Sequence, residues 1–339
     1  MKNIRKFETT VAMDAATLED VSINYNVETG SVLSMPLKPN VKNYMRFVAI
    51  EDIQINLTSI NPNTGEADNS VDLKHSKDGI TWTQYDFNPI PLASGETLYL
   101  KGNNENGFSY MNMETNEGRV CTFGHASDMG MPNTPSTGKF ECHGNIMSLL
   151  YGDDFEDKTT IPCASCFIML FMGCTSLTTA PELPATTLSE GCYISMFAGC
   201  ENLTTAPEQP ATTLANSCYK YMFINCTNLT TAPKLPATTL TESCYNGMFF
   251  GCASLTTSPE LPATTLVNSC YYEMFYGCTS LNHITMLATD ISATDCLIEW
   301  VDETCTDGTF IKHPDMNSLP SGMSGIPEGW TVVDYDFKN

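Results

Sequence analysis

Four residues in the middle of the chain have the spacing of a metal knuckle. Cys163 and Cys166 stand in the run Cys163-Ala164-Ser165-Cys166, and Cys142-His143 could complete a set of sulfur and nitrogen ligands for zinc. His125, His283 and His313 are imidazoles that a hydrolytic triad could use, yet none has a serine or cysteine beside it in a recognisable nucleophile setting. Glu299 and Asp302 could act as a carboxylate pair, although the polar face of a terminal cap explains them as well. The glycines at 102 and 107 lack the Lys-Ser/Thr ending of a phosphate-binding loop. What weakens the metal reading is that Cys166 has a second allegiance. Cysteines at 166, 192, 218, 244, 270 and 296 recur every 26 residues, and those other than Cys166 have no partner at the knuckle spacing. No catalytic residue, metal ligand or cofactor site is therefore expected, and an enzyme is not the expected product of this sequence.

The 26-residue period is the mark of a stacked repeat. One copy runs from Cys192-Tyr193 through Met196-Phe197, Cys200, Leu203-Thr204-Thr205, Pro207 and Pro210 to Leu214. Those from Cys218 and Cys244 repeat it almost letter for letter, whereas the copies from Cys166 and Cys296 diverge, as terminal caps should. Cys192, Tyr193, Met196, Phe197 and Cys200 fall on the stripe of a short amphipathic helix. Leu-Thr-Thr then reads as a brief strand closed by a proline that has no N–H to give. A single unit buries too little to fold alone, so the copies must stack. Eleven of the fifteen cysteines lie in two columns, Cys166 to Cys296 and Cys174 to Cys278, where a small buried apolar group fits between units. Two cysteines eight apart on a helix would be about 12 Å apart along its axis, beyond disulfide reach; bridges up a column stay open where neighbouring Cα atoms come within about 7 Å, and the odd total with assembly in a reducing cytoplasm favours thiols.

These residues resemble the BspA-like leucine-rich repeats of surface and secreted proteins of gut Bacteroidales and their phages. The resemblance covers about 144–339 and rests on the repeated run from Cys192 to Leu214. It is carried further by the lead-in Gly144-Asn145-Ile146-Met147-Ser148-Leu149-Leu150 and by the closing phrases Gly308-Thr309-Phe310-Ile311-Lys312 and Gly325-Ile326-Pro327-Glu328-Gly329-Trp330-Thr331-Val332. It implies a curved, non-enzymatic binding or adhesion array with no catalytic residues.

Composition narrows the partners. Thirty-nine acidic against 16 basic residues leave a net charge of −23, which repels nucleic acid and anionic membranes. No apolar run reaches transmembrane length, so membrane insertion is not expected. The opening Met1-Lys2-Asn3-Ile4-Arg5-Lys6-Phe7-Glu8 is basic, but Asp14, Thr17, Glu19 and Asp20 interrupt any signal-peptide core. Export by that route is not expected if this is the true start, and a virion protein released by lysis needs none.

The expected fold class is α+β: an N-terminal β-sandwich-like domain followed by a leucine-rich-repeat-type solenoid of 26-residue units. Residues 1–42 read as an adaptor segment, with a helix near Asp14–Asp20 and a hairpin around Glu28-Thr29-Gly30. Residues 43–143 alternate apolar and polar between turns at Asp78-Gly79 and Ser94-Gly95, and Trp82 is either core or a carbohydrate platform. Residues 144–165 should cap the solenoid, 166–295 hold five repeats, and 296–339 form a degenerate repeat and a C-terminal cap.

Since stacking fixes the core columns, the columns that vary between copies are the solvent-facing ones. Lys220, Tyr221, Tyr272, Glu273 and Tyr276 are the candidate ligand-binding residues, and the threonine ladder from Thr178-Thr179 to Thr256-Thr257 is a second candidate face with a strand-stabilising role as its alternative. The function expected is non-enzymatic recognition or adhesion by a phage virion fibre or decoration protein. Its partners would be a host cell-surface glycan or protein, other virion proteins through residues 1–42, and a second copy in a homo-oligomer. A bacterial cell-surface adhesin and a purely structural virion component are the alternatives.

Overall fold

A computed structural model describes residues 41–337 except 113, 114, 116, 125–135 and 318. The helix and hairpin expected before residue 41, and His125, lie outside the described residues. Val41 onward forms one compact unit with one continuous hydrophobic core that runs from Tyr44 to Trp330.

The front part is built from short strands: β1 (Arg46–Ala49), β2 (Ile53–Ile55), β3 (Thr58–Ile60), β4 (Lys74–Ser76), β5 (Thr83–Gln84), β6 (Ile90–Leu92), β7 (Thr97–Lys101), β8 (Tyr110–Met111), β9 (Gly118–Thr122) and β10 (Phe140–His143). They are shared among three sheets, β5-β4-β7-β1-β10, β2-β6 and β3-β9-β8, all paired antiparallel. The Asp78-Gly79 turn joins β4 to β5 as its sequence requires. Gly79 takes φ +72°, and Asp78 accepts bonds from the backbone of Ile80 and Thr81 and from Ser76 Oγ, which hold its carboxyl well below the usual carboxylate range. The first sheet does not stop at β10. It continues in parallel onto β11 (Leu177–Thr179), which belongs to the first repeat, so the front sheet and the array share one edge.

The expected helix in each repeat is absent, and this corrects the α+β assignment. Among the described residues the one α-helix is α1 (Ser148–Tyr151), a single turn ahead of the first coil. In the coil of Cys192, residues 191, 195 and 199 take φ of +57°, +52° and +69°, and a left-handed residue at every fourth position is incompatible with an α-helix. The backbone instead makes a ribbon of consecutive turns. The N–H groups of residues 192, 194, 196, 198 and 200 donate to the carbonyl three residues back, at 3.0–3.2 Å. Those of 191, 193, 195, 197 and 199 donate to the carbonyl 25 residues ahead, in the next coil, at 2.8–3.0 Å. The same alternation joins every neighbouring pair of coils from Ser165 to Asp302. The side-chain period is therefore four, and the pairs Cys192-Tyr193 and Met196-Phe197 face the core together.

Identical coils then stack identical side chains. The rings of Phe171, Phe197, Phe223, Phe249 and Phe275 form a column at 5.4–5.7 Å with interplanar angles of at most 7°. Phe167, Tyr193, Tyr219, Tyr245 and Tyr271 form a second at 5.6–6.1 Å. At the front the phenylalanine column continues through Phe123 to Phe47 of β1. At the back it ends on Trp300, whose Nε1 donates to Gly325 O. The cysteines are free thiols with a bonding role as well as a fitted shape. Cys200, Cys226, Cys252 and Cys278 each donate from Sγ, at 3.0–3.1 Å, to the phenylalanine carbonyl of the preceding coil. Burial pushes the thiols of Cys174, Cys226 and Cys278 up to about 12.

The Leu-Thr-Thr side of the coils behaves as its prolines dictate. Where Pro207 and Pro233 follow, neighbouring coils share single parallel bridges such as Thr205 with Thr231, and Thr230 donates from both N and Oγ1 to Thr204 O. β12 (Thr257–Leu261) still carries Pro259, and its pairing shifts register between Thr257 and Glu260; β13 (His283–Met286), β14 (Thr309–Lys312) and β15 (Thr331–Asp334), which have no proline, extend it as a parallel sheet.

Two measurements test this architecture. Ser195→Gly relieves a left-handed residue and should raise the urea midpoint, with a gain of up to about 1 kcal/mol, whereas the same change inside a helix would cost about 1 kcal/mol. A decrease in midpoint would refute the turn ribbon. Thiol titration should find fifteen free thiols after denaturation, and in the native protein only the half-buried Cys163 and Cys305 should react quickly.

Candidate recognition surface

Each coil of the ribbon turns two kinds of position outward: the left-handed residue and the residues flanking the core pairs. In the first coils this surface is already used. Ile168 and Ile194 pack with Val120 of β9, Met111 and Met169, and Met172 packs on Ile60 of β3, so the front part covers the start of the outer face. The uncovered stretch begins with Lys220.

There the sequence candidates fall into two neighbouring groups, all half-buried. Lys220 Nζ lies 5.3 Å from the centroid of the Tyr221 ring. The ring itself lies across the next coil at Gly247, where a Cβ would meet ring carbons at 2.2 Å. Glycine is required there by the tyrosine above it, since Ser195, Tyr221 and Glu273 take a similar positive φ at the same place in other coils. Further along, Tyr276 stacks on Phe250 at 4.7 Å and 10°. Phe250, with its neighbour Ile224 in the same column, was not singled out by sequence, and its signal was visible only once the period is known to be four. Tyr272 and Glu273 are adjacent, and the Glu273 carboxylate raises the Tyr272 hydroxyl above its ordinary value. Glu273 is itself raised, first by burial and then by Glu299. The face thus grades from apolar and covered, through cationic and aromatic at Lys220 and Tyr221, to aromatic and acidic at Tyr276 and Glu299.

The other sequence candidates are placed elsewhere. Cys142 is buried in β10 while His143 projects to the opposite side and pairs with Glu141 at 2.9 Å. Cys163 accepts a hydrogen bond from Cys166 that lowers its thiol, whereas burial raises Cys166. Among the described residues no group of three or more His, Cys, Asp or Glu side chains is close enough to hold a metal ion. His283 lies in β13, and His313 accepts from Asp315 N and meets the Phe337 ring edge-on. Glu299 and Asp302 lie on the sixth ribbon, not on a helix. Trp82 is half-buried against Tyr44, and Lys101 Nζ sits 4.2 Å from its ring centroid, so that face is filled from within. Among the described residues no helix is long and apolar enough to cross a membrane.

No protein-family model, curated protein or solved structure matches this chain. The likeness to BspA-like repeats therefore rests on the repeat residues themselves.

Because the Glu273 carboxyl titrates above the unfolded chain's value, the folded state holds that proton more tightly and stability falls as pH rises through the shifted value. Glu273→Gln should raise the melting temperature at pH 7, and the difference should vanish below about pH 4, where the glutamate is neutral in both states. An equal gain at both pH values would show that charge is not the cause.

Proposed function

We propose that this chain is a non-enzymatic recognition protein, a leucine-rich-repeat-type array that binds a host cell-surface glycan or protein through the uncovered outer face of its turn ribbon. The observation that carries the reading is the division of each coil. Core positions repeat almost without change and stack on themselves, whereas Lys220, Tyr221, Tyr272 and Tyr276 differ from their counterparts in every other coil, Glu273 from all but Glu299, and all five stand on a rigid backbone ladder. Tyrosine suits this task, since it offers a large contact area with few rotatable bonds and a polar tip. The acidic surface steers the protein away from nucleic acid and polyanionic membranes. On the strength of the BspA-like resemblance we place the array on a virion surface, with residues 1–42 docking on other virion proteins and a bacterial cell surface as the alternative location.

The test is retention by cells. Purified protein incubated with Bacteroidales cells and their capsular extracts should be retained saturably. Tyr221→Ala combined with Tyr272→Ala should weaken retention by roughly tenfold or more while the variant still unfolds cooperatively, with only the small drop in melting temperature that loss of the Tyr221–Gly247 contact brings. Saturable retention unchanged by the pair would sink this face, and no retention at all would leave a structural role.

A further inference from the structure

The front part holds a buried charge for which the described residues supply no counter-charge. Arg119 in β9 is 6% exposed, and it is the one charged side chain among the buried residues described. Among the described residues it has no carboxylate partner, since none of their ion pairs includes it. Its guanidinium donates to three neutral acceptors: Nε to Phe108 O at 3.2 Å, Nη1 to Ser70 Oγ at 2.6 Å and Nη2 to Gly107 O at 2.8 Å. A guanidinium has five N–H groups, so two remain to be given. Burying a cation without a counter-charge is expensive, and a fold that needed only a clip between Ser70, Gly107 and Phe108 could use a neutral donor.

The same arginine lines a cavity of about 360 Å³ with Tyr110, Asn103, Asn106, Ser70 and Glu105. Tyr110 is 45% exposed, and its ring centroid lies 5.4 Å from Arg119 Cζ. Asn104 anchors the floor, its amide donating to Asp72 O and Leu149 O, which leaves the exposed Asn103 and Asn106 as the adaptable groups at the rim. Gly107 is held at φ +119°, where a Cβ would lie 2.4 Å from Ser109 O, so the loop that presents its carbonyl to Arg119 is fixed.

We propose that this cavity binds a carboxylate-bearing saccharide. A single carboxylate would accept from the two remaining guanidinium N–H groups. The sugar ring would lie against Tyr110, and its hydroxyls would exchange hydrogen bonds with Asn103 and Asn106. Glu105 on the rim and the net charge of −23 disfavour a multiply charged ligand such as phosphate, whereas one carboxylate among neutral hydroxyls suits one buried cation. The site shares no residue with the face from Lys220 to Tyr276, and the proposal does not rest on that face binding anything.

The experiment is calorimetric titration of the full chain with galacturonate, with its neutral counterpart galactose, and with inorganic phosphate. Galacturonate should bind, galactose should be weaker by roughly tenfold or more, and phosphate should give no heat at about 10 mM. Tyr110→Ala, at an exposed position, should keep the melting temperature and lose at least about fivefold in affinity for galacturonate. Arg119→Gln should abolish the preference for the acidic sugar. If that variant fails to fold, the Tyr110 result and the neutral comparison still decide. Equal binding of the neutral sugar, no binding of galacturonate at about 10 mM, or an unchanged affinity in Tyr110→Ala would each overturn the proposal. Tyr221→Ala with Tyr272→Ala should leave this binding untouched, so failure here and failure of the ribbon reading are told apart.

Discussion

Everything in the array depends on one backbone bond: the N–H of a ribbon residue donating to the carbonyl 25 positions ahead. In a helix each amide is consumed within its own segment, and neighbouring segments meet only through side chains. Here a left-handed residue at every fourth position turns alternate amides along the stacking axis, so that each coil is hydrogen-bonded to the next by five backbone bonds on this side alone. The left-handed conformation is unfavourable for most residues. It persists because the ladder over-determines it, and serine or glycine occupies many of these places while Tyr221, Glu273 and Glu299 show that other residues are accepted.

That constraint explains what is invariant and what is not. The ladder fixes the coil spacing, the spacing sets the ring columns at 5.4–6.1 Å, and the small cysteine side chains are buried beside them. The cysteine sulfur then supplies a weak donor to a carbonyl already engaged within its own turn, as at Phe197 O, which also accepts from Cys200 N. Outward residues join the ladder through their backbone alone, and their side chains stand outside the two core ring columns. They can change between copies with little effect on stability, which is the condition a recognition surface needs.

Much of this was legible in the residues. The 26-residue period, the two cysteine columns and the Asp78-Gly79 turn all follow from composition and spacing, whereas the Leu-Thr-Thr strand ended by proline holds at β11 but shrinks to single bridges in the next coils and runs through Pro259 in β12. The ribbon did not, for a physical reason. Core pairs at positions 192-193 and 196-197 followed by 200 fit a helical stripe over nine residues, because periods of 3.6 and 4.0 diverge by less than one residue over two turns. A second signal was present in the Ser or Gly that stands immediately before most of the column cysteines, at Ser165, Gly191, Ser217, Ser243 and Ser269, all with positive φ. Burial of Arg119 had no comparable sign, since β9 reads as an ordinary short strand and its neutral partners come from Ser70 and from the carbonyls of 107 and 108.

Near-identity of the coils raises a problem that the ends resolve. If every coil fits every other, the ladder gives no preference for one register of stacking, and an array slipped by a whole repeat would form as many interior bonds. The unique ends break that degeneracy. At the front, Ser109 N and Phe123 N donate to the Cys166 and Leu170 carbonyls, which places the first coil against strands that have no copy elsewhere. At the back, Trp300 takes the place that methionine holds in the copies from Cys192 to Cys270, closes both ring columns and is pinned by Gly325 O. A slip would leave Trp300 without its pocket and the front strands without their acceptors. The two caps therefore do more than shield the ends from water: they convert a repetitive sequence into one structure, and so allow outward side chains in different coils to hold fixed positions relative to one another.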